Sequence, residues 1–324
     1  MSTPLKLTTA VQDLLRCPIC KGRLALDLNG ERFRCVNAEC GGHFPIVNGV
    51  PVLINESASV FTIADYVQGR DTFFVRKSRL QRTLDRLTPS ISGNVNSRQH
   101  YERLTQELLA QAGRRSPSGD RPRVLVVGGG ILGQGMEALV GRPEIELVET
   151  DVAFGPRTAL ICDAHDLPFA DAAFDGVVAQ AVLEHVVDPY RCVAEMHRVL
   201  NPAGLVYAET PFMQQMHGKP YDFTRFTYLG HRRLFRRFEE LDSGVVCGPG
   251  MALAWSYQHF VLSFVRSRVA RRFLQILTSF TSFYLKYFDR YLADKPAALD
   301  AAAGYYFMGR KSDTVLEDRE LIRR

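Results

Sequence analysis

The hydrophobic pattern divides the chain into stretches of different character. Between Leu15 and Ile54, short apolar runs alternate with polar turns. Its last part, HFPIVNGVPVLI, alternates about an Asn48-Gly49 pair as a small strand pair does. Residues 59–121 are polar and charged. Helical spacing shows in VRKSRLQRTLDRL and RQHYERLTQELLAQA, and a Ser/Gly/Pro-rich break follows at RRSPSGDRP, so a linker with two helices is expected. At Val124 the character changes. RVLVVGGGILGQGMEALV reads as a short apolar strand, a glycine-rich turn and a helix start, and strands are expected again at IELVETD, ALICDA, FDGVVAQ and LVYAETP. EELDSGVVC and GYYFMGRKS predict a closing antiparallel pair. Between them an aromatic-rich stretch, 252–302, fits one or two helices that are apolar over more than one face.

Composition narrows the class. A length of 324 residues, 46% of them hydrophobic and 23% charged, is that of an ordinary globular protein of about two domains, which argues against disorder and coiled coil. A net charge of +5 is too small to mark a dedicated nucleic-acid binder. The start, MSTPLKLTTAVQDLL, lacks the basic and apolar regions of a secretory signal, and no run reaches the roughly 18 apolar residues of a spanning helix; a cytoplasmic protein with reduced thiols is expected. Four of the seven cysteines fall within 24 residues as Cys17-x2-Cys20 and Cys35-x4-Cys40. Two thiolate pairs from two tight turns suit a tetrahedral structural zinc, with His43 as a substitute ligand for Cys40. Because four protein ligands close the site, such a zinc would fold its module and leave no position for a substrate.

This stretch resembles the small zinc-ribbon proteins that bind and activate methyltransferases. The resemblance is carried by the CPxC knuckle and by Phe44, Pro45, Ile46, Gly49, Val50, Pro51, Val52 and Leu53, over about residues 10–55. Further on, Gly128-x-Gly130-x-x-Gly133 with Asp151 about 20 residues later is the literal dinucleotide fingerprint, so a nicotinamide dehydrogenase has to be weighed. The linked motifs Leu-Pro-Phe, Phe174-Asp175 and RVLNPAG, in that order, instead resemble the class I S-adenosylmethionine-dependent methyltransferases over about residues 122–246.

That resemblance implies an α/β, Rossmann-like seven-stranded sheet. The domains would be a ribbon module (1–58), a helical linker (59–121), a methyltransferase domain (122–312) with its insertion, and a charged tail (313–324). It also implies site residues. Gly128 and Gly130 would pack under S-adenosylmethionine, Asp151 would accept from the ribose hydroxyls, Asp163 and the Ala164 backbone would address the adenine, and Gln180 and Ala181 would line the methionine end. The chain departs from the family pattern at Val126, where an acid is usual near the end of the first strand, and at Leu132, where the third glycine usually sits.

Beyond the fifth strand of this domain, ETPFMQQMHGKPYDFTRFTYLGHRRLFRRF occupies the topological place of an acceptor site. His217 and Asp222 are candidates for a base or orienting role, and Tyr221 and Arg225 for substrate contacts; an Asp222–Arg225 ion pair is the alternative. His185 in LEHV, at the start of a helix beside the cofactor cleft, is expected as a packed structural residue, with a base as the alternative, and Glu184 as a cap or ion-pair partner. The His, then Tyr-Asp-Phe-Thr-Arg-Phe-Thr pattern resembles bacterial members associated with surface-glycan or lipid-linked pathways. Methyl transfer to an oxygen or nitrogen of a small or glycan-related acceptor is the leading reading. An RNA acceptor and a non-catalytic scaffold are the competing ones. The insertion reads as a lid or homodimer surface, or as a peripheral membrane contact through Arg266, Arg268, Arg271, Arg272 and Lys286.

Overall fold

In the computed structural model, residues 4–70, 79–115, 121–218 and 220–323 are described; the start of the first expected linker helix and most of the Ser/Gly/Pro break lie outside them. Among the described residues, eleven strands form one sheet. They are β1 (Leu24–Leu26), β2 (Arg32–Cys35), β3 (His43–Val47), β4 (Val50–Leu53), β5 (Arg123–Val127), β6 (Glu146–Asp151), β7 (Leu160–Cys162), β8 (Phe174–Gln180), β9 (Leu200–Pro211), β10 (Phe238–Cys247) and β11 (Gly304–Lys311). Their order is β1-β2-β3-β4-β7-β6-β5-β8-β9-β11-β10. β4, β7, β6, β5, β8 and β9 run parallel, while β11 lies antiparallel between β9 and β10.

The expected seven-stranded sheet is therefore too small: β5–β11 make seven strands, and the N-terminal module adds four. The cause is a free edge. β7 has its outer side open, and β4 fills it in parallel register, Val52 opposite Ile161 and Leu53 opposite Cys162. Further bonds fasten the module. Arg16 N donates to Pro168 O and Ala170 N to Leu14 O, the Lys21 ammonium pairs with Glu195 at 3.0 Å, and Asn55 Nδ2 donates to Asp166. Leu15, Cys17, Phe33, Phe44 and Leu53 are buried in one continuous core with Leu167, Phe169 and Phe174.

Period-two alternation along the central strands sorts the two faces. Leu125, Val127, Val177 and Ala179 face the core shared with the N-terminal module and the helix Pro189–Val199. Val124, Val126, Val178 and Tyr207 face Tyr101, Leu104 and Leu108 of the helix Ser97–Arg115. The segment expected as a linker is thus a structural layer: its helix covers one face of the sheet, and Tyr66, also fully buried, donates its hydroxyl to Val152 O.

β10 and β11 pair antiparallel as expected, and the insertion between them folds as the helices Pro249–Ser263 and Arg268–Ser282 followed by short turns. Gln258 joins the two helices through Gln275 O, Thr278 and Ser279. Met251, Ala252 and Ala254 pack inward, whereas Phe260, Phe264, Phe273, Phe280 and Tyr291 remain exposed. No helix among the described residues is long and apolar enough to cross a membrane.

Candidate functional site

The four cysteines meet as expected. Cys17 Sγ lies 3.7 Å from Cys40 Sγ, Cys20 Sγ lies 3.5 Å from Cys35 Sγ, and all four sulfurs fall within 4.8 Å of one another. A tetrahedral ion with bonds of about 2.3 Å separates its sulfurs by about 3.8 Å, close to the two shortest of these separations, so the set suits zinc. His43 stays outside the cluster, exposed on β3. The turns keep side chains away from the metal position: a Cβ on Gly22 would come within 3.2 Å of Cys20 Sγ. The Gly22 N–H stabilises the Cys20 thiolate and lowers its pKa to about 7.

The second site is a cleft along the carboxyl ends of the parallel strands. Two cavities, of about 370 and 280 Å³, meet at Val127, Gly128, Asp151 and Val182. The glycine turn after β5 is built for close approach. Gly128 adopts φ +71°, and a Cβ there would stand 2.4 Å from Val182 Cγ2; one on Gly130 would stand 2.6 Å from Asp151 Oδ2. Gly133, displaced by one from the usual third glycine, makes room for Gln180, whose Oε1 would lie 1.6 Å from a Cβ there. The expected helix after the turn is a single turn, Glu137–Val140.

Asp151, at the end of β6, accepts from Gly130 N and Ala153 N, both at 2.9 Å, and burial raises its pKa to about 6. It marks the junction of the two cavities. In the smaller one stand Asp163, Ala164, Tyr221 and residues 58–61. Asp163 accepts from Ser59 Oγ at 2.5 Å and from His165 N and Nδ1; although burial favours its neutral form, these donors hold the carboxyl below its usual range. The Tyr221 ring packs on Phe61 at 5.3 Å, which places this residue at the Asp163 end.

The larger cavity is lined by Gln180, Ala181, Glu184, His185, Glu209, His217 and, from the insertion, Met251. Ala181 holds a left-handed backbone, φ +54°, with its N–H donating to Glu209 O. Glu209 takes four donors, Asn94, Ser97, Gln180 and Tyr207, and burial raises its pKa. It is a buried acid beside the cavity, whereas position 126 carries none. Val126 itself is buried on the same sheet face, in the core with Tyr207, Met136 and Met251.

His217 lines the cavity and Asp222 stands behind it. Asp222 accepts from His217 N at 2.6 Å and is gripped by both terminal nitrogens of Arg225, at 2.5 and 2.8 Å. Burial favours the neutral carboxyl, but Arg225 outweighs it and the pKa is lowered. Arg225 also donates to the carbonyls of Gln214, Gln215 and Thr224, so its guanidinium is spent on the loop. Glu184, His185, Glu209, Met251 and the Ser59 loop were not assigned to the site from sequence. Glu184 and His185 stand out in the sequence as the LEHV motif, and Glu209 is a carboxylate inside the apolar run LVYAETP, but spacing does not show what these side chains face.

Comparison with known proteins finds relatives for both parts of the chain. A family profile described as "Methyltransferase domain" matches residues 141–208. The UPF0434 protein of Mannheimia succiniciproducens is 46% identical over 46 residues, 14% of this chain and 72% of that protein. The chain carries a class I S-adenosylmethionine-dependent methyltransferase domain and, at its N-terminus, belongs to the UPF0434 family. O-methyltransferase rstn1 of Aspergillus nomiae is 32% identical over 143 residues, 39% of this chain, and the chain spans only 60% of that relative's length. A putative sarcosine dimethylglycine methyltransferase from Galdieria sulphuraria is similar in structure with a TM-score of 0.41 and 15% identity, covering 72% of this chain and 99% of that one. S-adenosylmethionine as cofactor and a structural zinc agree with the methyltransferase domain and the four-cysteine cluster.

Proposed function

We propose that the chain transfers a methyl group from S-adenosylmethionine to an oxygen or nitrogen of a small acceptor that enters the larger cavity. The supporting observation is the cleft itself, continuous past Gly128 and with a buried carboxylate, Asp151, where its two halves meet. In this reading Asp163 and the Ala164 backbone hold the adenine, Asp151 accepts from the ribose hydroxyls above the cradle of Gly128 and Gly130, and Gln180, Ala181 and Glu209 receive the methionine end. The bound cofactor supplies an electrophilic methyl on a cationic sulfur. Positive charge is lost as the methyl moves, so the protein's task is alignment and exclusion of water.

At the acceptor end, His217 takes the proton that a hydroxyl or amine must shed. Burial disfavours its charged form, but Glu184 and the Gln215 carbonyl outweigh this and raise its pKa. Asp222 and Arg225 fix the loop that carries it, and Tyr221 packs beside the cofactor. A glycan or lipid-linked acceptor rests on the resemblance of the segment 217–227. Calorimetry with the purified chain tests the reading. Micromolar binding of S-adenosylmethionine that Asp151→Ala weakens at least about tenfold supports it, a loss of roughly 1.4 kcal/mol. Absence of binding to the wild type sinks it.

A further inference from the structure

A second cluster of metal-binding side chains lies away from the cysteines. Glu184, His185 and His217 offer one donor atom each within 4.8 Å of one another. His185 Nε2 is 3.7 Å and His217 Nε2 3.6 Å from the same atom, Glu184 Oε1. Those separations are too long for hydrogen bonds. They suit an ion between them: ligands about 2.1 Å from a tetrahedral centre stand about 3.4 Å apart, within a few tenths of an ångström of these two separations.

Two independent features point to a cation there. The Glu184 side chain is 0% exposed, and among the described residues neither carboxylate oxygen receives a hydrogen bond, an expensive arrangement for a buried carboxylate. Each imidazole also turns its other nitrogen to a main-chain carbonyl. His185 Nδ1 lies 2.5 Å from Tyr221 O, and His217 Nδ1 lies 3.2 Å from Gln215 O. A carbonyl can only accept, so His185 Nδ1 carries a proton and its Nε2 faces Glu184, the orientation that a ligating histidine takes; at His217 the Gln215 carbonyl and the Arg225 guanidinium compete for Nδ1, and Nε2 again faces Glu184. The rings hold this pose edge to face, centroids 5.0 Å apart. Arg225, whose Nη2 is 3.4 Å from His217 Nδ1, has its charge matched by the two-pronged Asp222 pair, so the pocket does not repel a cation.

We infer that Glu184, His185 and His217 form a binding site for a divalent transition-metal ion of the zinc class, opening on the larger cavity. All three residues line that cavity, so the ion keeps positions free toward it, unlike the closed cysteine site. The mixed imidazole and carboxylate donors favour zinc, iron or manganese over magnesium or calcium. With the ion bound, His217 would be a ligand rather than the proton acceptor, and the ion would polarise an acceptor hydroxyl in its place. The site stands independently of whether a methyl group is transferred.

Metal content tests it. The full chain is equilibrated with excess zinc chloride, freed of loose metal by gel filtration and measured by mass spectrometry, with Glu184→Gln and His217→Asn treated alike. Two zinc ions per wild-type chain and one in each variant are expected, the retained ion reporting an intact cysteine cluster. Cobalt at the second site should add a d–d absorption without further thiolate charge-transfer bands. One zinc in the wild type, or a second equivalent that survives both substitutions, overturns the inference. Because the readout is metal content, its failure is distinguishable from failure to bind S-adenosylmethionine.

Discussion

At the scale of single residues, the cleft depends on carboxylates kept in protein surroundings. Asp151 shows how this couples to pH. Burial lifts its pKa to about 6, above the roughly 3.9 of an unfolded chain, so the folded cofactor-free protein holds this proton more tightly than the unfolded chain does. Its contribution to stability is fully present below the unfolded value and is lost as pH rises through about 6. Cofactor binding runs the other way, since ribose hydroxyls donate best to the ionised carboxylate. Calorimetry between pH 7.5 and 5 should show affinity falling below about pH 6, by at most tenfold per unit, and Asp151→Asn should flatten that part of the profile. Asp151 and the glycines were legible in the sequence because their spacing is local to one strand, turn and strand. Glu209 was not. Its partners Asn94, Ser97 and Gln180 come from distant stretches, and that spatial neighbourhood leaves no trace in spacing.

At the scale of elements, the strands and helices were readable where apolar periodicity is strong, but their destinations were not. The helix Ser97–Arg115 was expected from its spacing, whereas its burial against Val124, Val126 and Tyr207 depends on which sheet face the N-terminal module leaves open. The insertion holds a comparable long-range contact. Asp289, fully buried, accepts from Gly250 N at 2.7 Å and Met251 N at 2.9 Å, and so caps the helix Pro249–Ser263 from nearly 40 residues away. Gly248 gives this carboxylate room, since a Cβ there would stand 2.5 Å from Asp289 Cγ. Removing the cap leaves two buried donors unsatisfied at a helix start. Asp289→Ala should therefore cost about 2 kcal/mol. The melting temperature should fall by several degrees in calorimetry. Because Met251 lines the larger cavity, where the proposed acceptor enters, acceptor KM should rise more than the Kd for S-adenosylmethionine.

At the scale of the whole molecule, the N-terminal module is joined to the sheet rather than tethered to it. The cysteine pattern announced a zinc ribbon, but pairing between β4 and β7 is an edge match between segments more than 100 residues apart, which periodicity cannot forecast. This pairing changes what the metal stabilises. A stretch of about 40 residues buries too little surface to fold alone, so zinc binding supplies its folding free energy. Leu15, Phe33, Phe44 and Leu53 share their core with Phe169 and Phe174, so loss of the ribbon would expose the β7 edge and part of the domain core together. Zinc removal with a strong chelator under reducing conditions should accordingly lower the main calorimetric transition of the full chain, without a separate low-temperature transition for the ribbon. Cys35→Ser should behave as the chelated protein does, because three thiolates bind the ion far less firmly than four. Two resolved transitions, the larger unmoved by chelation, would mean that the ribbon folds as an appendage and that the β4–β7 junction contributes little to the sheet.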